Sequence, residues 1–258
     1  MNKSCQLIAP GSTPAQVRHL LDTDPARMVH GEDNLKAWLQ QIMDEAMSFL
    51  IEGNHFVIDE RIRTLEAMIS PPGGAAAQYY TSPSDDLSRP GRTWFPANGR
   101  TSFPRWGEVS TAYHEGVPGH HLQCAVAILQ KDHLTHVQRS FFNSGHGEGW
   151  ALYAERLMDE FGFLENPDYR LGYLYAQAFR AARVVVDLGV HCGFAIPKSS
   201  SWHPGESWTP ELMLEFMTER SSNDDEFNRS EINRYLGWPG QAISYKLGER
   251  VWLRLRDE

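Results

Sequence analysis

The run Ala112-Tyr113-His114-Glu115-Gly116-Val117-Pro118-Gly119-His120-His121 packs three imidazoles and a carboxylate around a proline-glycine pair. Neutral imidazole nitrogens suit Zn2+, and an adjacent carboxylate suits the water that such an ion activates. The spacing differs from His-Glu-x-x-His, in which two histidines four residues apart share one helix face around a catalytic glutamate. Here Pro118 stands four residues after His114, and an unbroken helix would turn His120 about 240° away from it. His121 returns to the His114 face but lies roughly 10 Å further along the axis. Neither pair reaches one ion through bonds of about 2 Å unless the helix is distorted. Pro118 has no N–H to give the His114 carbonyl, and Gly119 admits unusual dihedrals, so a bulge or kink is encoded where the spacing needs one. The competing reading is a plain Pro-Gly turn ahead of an ordinary amphipathic helix.

A second signal lies downstream. Gly147-Glu148-Gly149-Trp150-Ala151-Leu152-Tyr153-Ala154-Glu155-Arg156-Leu157 reads as a helix opened by a glycine-flanked carboxylate and closed near Gly162. Glu148 can supply a third ligand. Two histidines and a glutamate leave a fourth position for water, which is how catalytic rather than structural zinc is held. Whether His120 or His121 partners His114 stays open on spacing alone.

The blocks YHEGVPGHHLQ, EGWALYAERL, RVVVDLGVH and RYLGWPGQAISYKLG, in that order, resemble the DUF885 family, a group assigned as zinc-dependent peptidases and related to the glutamate-zincin metallopeptidases. The resemblance covers roughly Ala75 to the C-terminus, and earlier residues match weakly. It implies a mainly α, zincin-like helical metallopeptidase with a small β-hairpin or sheet beside the metal-binding helix. It implies His114, His120 and Glu148 as ligands of Zn2+, with Glu115 as base. Through RVVVDLGVH it implies that His191 hydrogen-bonds the substrate carbonyl or its developing oxyanion, with Asp187 one turn earlier orienting it. This sequence departs from the pattern in two ways. Members are commonly longer, with an extended helical N-terminal portion. Glutamate-zincins also often carry an acidic residue four positions after the ligand glutamate, whereas Leu152 stands there and Glu155 is the nearest substitute.

Composition bounds the function without choosing it. A chain of 258 residues, 41% hydrophobic, can bury a sizeable core. The formal net charge of −9, with no cluster of Lys and Arg among aromatics, argues against a nucleic-acid partner. Cys5, Cys124 and Cys192 are an odd number without paired spacing, which suits a reducing compartment. The first residues hold no apolar run long enough for a signal peptide, and no stretch approaches a membrane span, so the expected compartment is the cytoplasm with no membrane partner.

In organisation, residues 1–74 read as an N-terminal helical segment and 75–258 as the metal-binding catalytic domain, the two able to form one continuous domain. Asp33-Asn34 can cap a helical pattern running toward Ile69, stopped by Ser70-Pro71-Pro72-Gly73-Gly74. Gln78–Thr81 and Arg92–Phe95 read as two short strands, whose edge could hold an extended substrate. The pattern from Asp168 to Phe194 is helical, and Arg183, Asp187 and His191 share one stripe of it. Arg183 could grip a substrate carboxylate, favouring peptides with a free C-terminus. Thr209-Pro210-Glu211 reads as cap, first-turn proline and first-turn acid of a new helix. Tyr245 is a candidate second donor to the oxyanion, against the commoner role of a packing tyrosine. The reaction expected is hydrolysis of a peptide or small amide. A non-peptide amide or ester hydrolase, a lyase, and a metal-binding helical module without turnover are the alternatives. The sequence does not state an oligomeric state.

Overall fold

The computed structural model describes residues 1–73, 77–221 and 223–258, and the protein is mainly helical with small sheets. Gly74 and Ala75, where the sequence reading draws its boundary, lie outside the described residues. The chain divides into two compact units: Met1–Asn143 with Trp150–Tyr173, and Ser144–Gly149 with Leu174–Glu258.

The first unit opens with helices α1 (Asn2–Ile8) and α2 (Pro14–Thr23), the latter started by a reciprocal capping box between Thr13 and Gln16. Strand β1 (Met28–His30) leads into α3 (Glu32–Glu52), which buries Leu35, Leu39, Met43, Ala46 and Leu50 along one stripe. The helix stops at Gly53 rather than continuing toward Ile69, and Asn54 is in the left-handed region at φ 53°. The segment ending at Ile69 is instead strand β2 (Leu65–Ile69), with Leu65 and Ala67 buried and Glu66 and Met68 more exposed. Ile58, Ile62, Leu65 and Ile69 recur at helical spacing, and that coincidence hid the period of two.

Strands β3 (Tyr79–Thr81) and β4 (Gly91–Phe95) complete a sheet of order β2-β4-β3, with β2 parallel and β3 antiparallel to β4. The two short strands read from the sequence therefore pair, with Tyr80 opposite Thr93. Strand β5 (Ser102–Pro104) pairs antiparallel with β1. Helices α4 (Glu108–Glu115), α5 (His120–Leu129) and α6 (His136–Ser140) come next. Helix α7 (Ser144–Glu160) then runs uninterrupted from the second unit's segment into the first.

The second unit holds α8 (Pro167–His191) from Leu174 onward, α9 (Pro210–Arg220), α10 (Asp225–Gly237) and α11 (Ser244–Asp257). Phe179, Ala182 and Val186 of α8 pack with Met213 and Met217 of α9 and with Ile232 and Tyr235 of α10. The Thr209 side chain accepts from the Leu212 N–H, so the cap read at Thr209-Pro210 does start α9.

Candidate metal centre

The α4–α5 junction is a complete break and not a bulge within one helix. Helix α4 ends at Glu115, Gly116 caps it, and the next helical residue is His120. The turn is closed by two backbone bonds, Gly119 N–H to the Tyr113 carbonyl at 3.1 Å and His121 N–H to the Gly116 carbonyl at 3.0 Å. A Cβ on residue 119 would stand 1.9 Å from the His114 carbonyl oxygen, so only glycine fits there. The break brings the last turn of α4 against the first turn of α5. His114 and His120 are both buried, and their rings meet edge to face with centroids 4.9 Å apart.

His121 goes elsewhere. Its Nε2 lies 2.7 Å from the Ile62 carbonyl and its Nδ1 2.9 Å from the Tyr80 hydroxyl. Nε2 must donate to the carbonyl, so Nδ1 accepts from Tyr80 and both ring nitrogens are taken. Burial drives its pKa down to about 4, keeping the ring neutral. His120 is therefore the partner of His114, which spacing left undecided.

Helix α7 supplies two carboxylates. One donor atom each from His114, His120 and Glu148 lies within 4.8 Å of the others. Seven residues on, Glu155 returns to the same face of α7, roughly 10 Å along its axis. There Oε1 accepts from His114 Nδ1 at 2.8 Å while Oε2 accepts from the Ser110 hydroxyl. That contact places the ring proton on Nδ1 and leaves Nε2 the nitrogen with a lone pair, an arrangement that orients histidines where they bind metals. Trp150 ties α7 to the break, its indole N–H reaching the Pro118 carbonyl at 2.8 Å. Glu115, adjacent to His114, is buried. The set of two imidazoles and a carboxylate fits zinc in its catalytic form.

In the second unit, α7 and α11 cross at paired glycines: a Cβ on Gly149 would stand 2.4 Å from the Gly248 Cα. Glu148 precedes that crossing and Tyr245 lies one turn before it on α11. Burial, then the charge of Glu148, pushes Tyr245 up to about 12, so its hydroxyl is a proton donor at neutral pH.

Arg183 lies on α8 in the second unit. Its guanidinium is buried and already holds a carboxylate of this chain, with Nη2 2.5 Å from Glu231 and Nε 2.7 Å from the Tyr235 hydroxyl. It sits over the rings of Phe179 and Tyr245 at 4.3 and 4.7 Å. His191 is 3.1 Å from the Tyr235 carbonyl through Nε2 and 3.8 Å from Asp187 Oδ1. Asp187 is buried and its other oxygen accepts from the Gly240 N–H at 3.1 Å. Thus Asp187 anchors the turn before α11 as well as facing His191. Ser110, Trp150 and Glu231 were not read from the sequence. Ser110 alone carried a signal, one helical turn before His114.

A family model described as "Bacterial protein of unknown function (DUF885)" matches residues 1–258. The chain belongs to the DUF885 family. The match reaches residue 1, so the family pattern extends further forward than the resemblance from Ala75 suggested. No curated protein matches. A solved structure from Colwellia psychrerythraea, described as a "putative lipoprotein", is 30% identical with a TM-score of 0.78, covering 98% of this chain and 42% of that one. Another from Shewanella oneidensis, described as a "putative lipoprotein of unknown function", is 21% identical with a TM-score of 0.70, covering 99% and 46%. This DUF885 chain thus spans less than half the length of these two solved relatives. Among its described residues no helix is long and apolar enough to cross a membrane.

Proposed function

We propose that this DUF885 protein is a zinc-dependent hydrolase acting on peptide bonds or small amides. The observation that carries the reading is the convergence of His114, His120 and Glu148, with Glu155 setting the tautomer of His114. Zinc held by these three side chains would supply Lewis-acid polarisation of a carbonyl and acidification of water. Glu115, one residue from a ligand, takes the proton from the attacking water and returns it to the leaving amine. Tyr245, protonated and beside Glu148, donates a hydrogen bond to the developing oxyanion. His191 gives its Nε2 proton to the Tyr235 carbonyl, which leaves Nδ1 of the neutral ring an acceptor, so Tyr245 is the oxyanion donor of this reading. Glu155 keeps the His114 ring in position throughout.

Two observations pull the compartment in opposite directions. Three cysteines without paired spacing favour the cytoplasm, whereas the description of the solved relatives as lipoproteins favours the cell envelope. Cell fractionation distinguishes them.

The test of the activity is a pair of measurements on one variant. Wild-type protein purified without added metal should carry about one zinc per chain and cleave members of a peptide library. Glu115→Gln should keep the zinc and lose cleavage, and a Glu115→Gln protein that still turns over would remove the proposed base.

A further inference from the structure

An apolar ledge stands beside His120. Val137, Phe141 and Phe142 fall within six residues, with relative exposures of 72%, 70% and 45%. Val137 and Phe141 are one turn apart, the Phe141 N–H donating to the Val137 carbonyl at 2.8 Å, so they share a face. The Phe142 ring meets the His120 ring edge to face with centroids 5.6 Å apart, and the His120 ring also meets the His114 ring. The segment is anchored: Thr135 and Gln138 form a capping box at the start of α6, and Arg139 donates to Asp85 at 3.1 Å. Single exposed apolar residues are ordinary, but three within two helical turns, one of them against a candidate metal ligand, form a patch of the kind that receives a partner.

We propose that Val137, Phe141 and Phe142 form a subsite for an apolar side chain, aromatic or branched aliphatic, next to the substrate bond that is broken. The subsite rests on the proposed metal centre. Its occupant is set by position: a carbonyl brought to His114 and His120 carries its neighbouring side chain within reach of a ring that packs on His120. An apolar group covering Phe142 removes apolar surface of both partners from water, and a polar or charged one does not.

The test needs no turnover. Zinc-loaded protein is titrated calorimetrically with acetohydroxamate and with benzohydroxamate, which share a metal-gripping group and differ in methyl against phenyl. The phenyl probe should bind wild type about tenfold more tightly. That ratio should collapse toward one in Phe142→Ala and persist in Phe142→Leu, with zinc content unchanged in both. An equal ratio in wild type and Phe142→Ala would overturn the subsite and leave the ledge as a contact surface for another chain. Failure of both probes to bind zinc-loaded protein would instead overturn the metal-centre reading, and the subsite with it.

Discussion

Two buried carboxylates in this protein hold basic partners, and they are put to different ends. Glu155 in the first unit takes the Ser110 hydroxyl and one nitrogen of His114, whose ring also offers an atom within 4.8 Å of donors from His120 and Glu148. Glu231 in the second unit accepts from Arg183, Arg234 and Tyr235, groups of the same unit that it ties together. The lesson is that a buried acid–base pair marks a site only when the base retains a polar atom aimed at other donors. By that criterion Glu155 belongs to the candidate metal centre and Glu231 to the framework of the second unit.

The largest expected effect separates the two. Glu231→Ala leaves the Arg183 guanidinium buried without its carboxylate, and urea unfolding should show a loss of about 3–5 kcal/mol. The same pair has a pH signature. Burial opposes charge on Glu231, but Arg183 and Arg234 with their hydrogen bonds outweigh it and hold the carboxyl at about 2 rather than 4.5. The folded pKa lies below the unfolded one, so this stabilisation is complete above about 4.5 and is lost as pH falls toward about 2. Urea midpoints should decline less across that window in Glu231→Gln than in wild type, and parallel declines would contradict the assignment.

Glu155→Gln should act on metal instead. Because Glu155 sets the His114 tautomer without being a ligand, zinc affinity by competition with a chelator should fall about 10- to 100-fold. Unchanged affinity would place Glu155 with Glu231, as framework only. The smallest effect is expected at Tyr80. Tyr80→Phe removes the donor to His121 Nδ1 and should cost about 1 kcal/mol of stability with zinc stoichiometry unaltered. A lost zinc would mean that His121, and not His120, is the ligand.

Much of this arrangement was legible in the sequence because it is local. Pro118 and Gly119 announced an interruption between His114 and His120, whereas the helix read as opening at the glycine-flanked Glu148 begins one turn earlier, at Ser144. Spacing could say that a break was needed but not which way His121 would turn, since Ile62 and Tyr80 come from distant segments. The carboxylate that Arg183 holds was hidden for the same reason: Glu231 is 48 residues away on another helix. The helix read toward Ile69 failed because four apolar residues fell at helical spacing within a segment whose end pairs as a strand.

The most direct measurement is an anomalous difference map at the zinc absorption edge from crystals of the zinc-loaded protein. One strong peak is expected, bonded to a nitrogen of His114, a nitrogen of His120 and a carboxylate oxygen of Glu148, with Glu155 still on His114 Nδ1. A peak bonded to other residues, or saturating zinc with no peak among these three side chains, would contradict the metal centre.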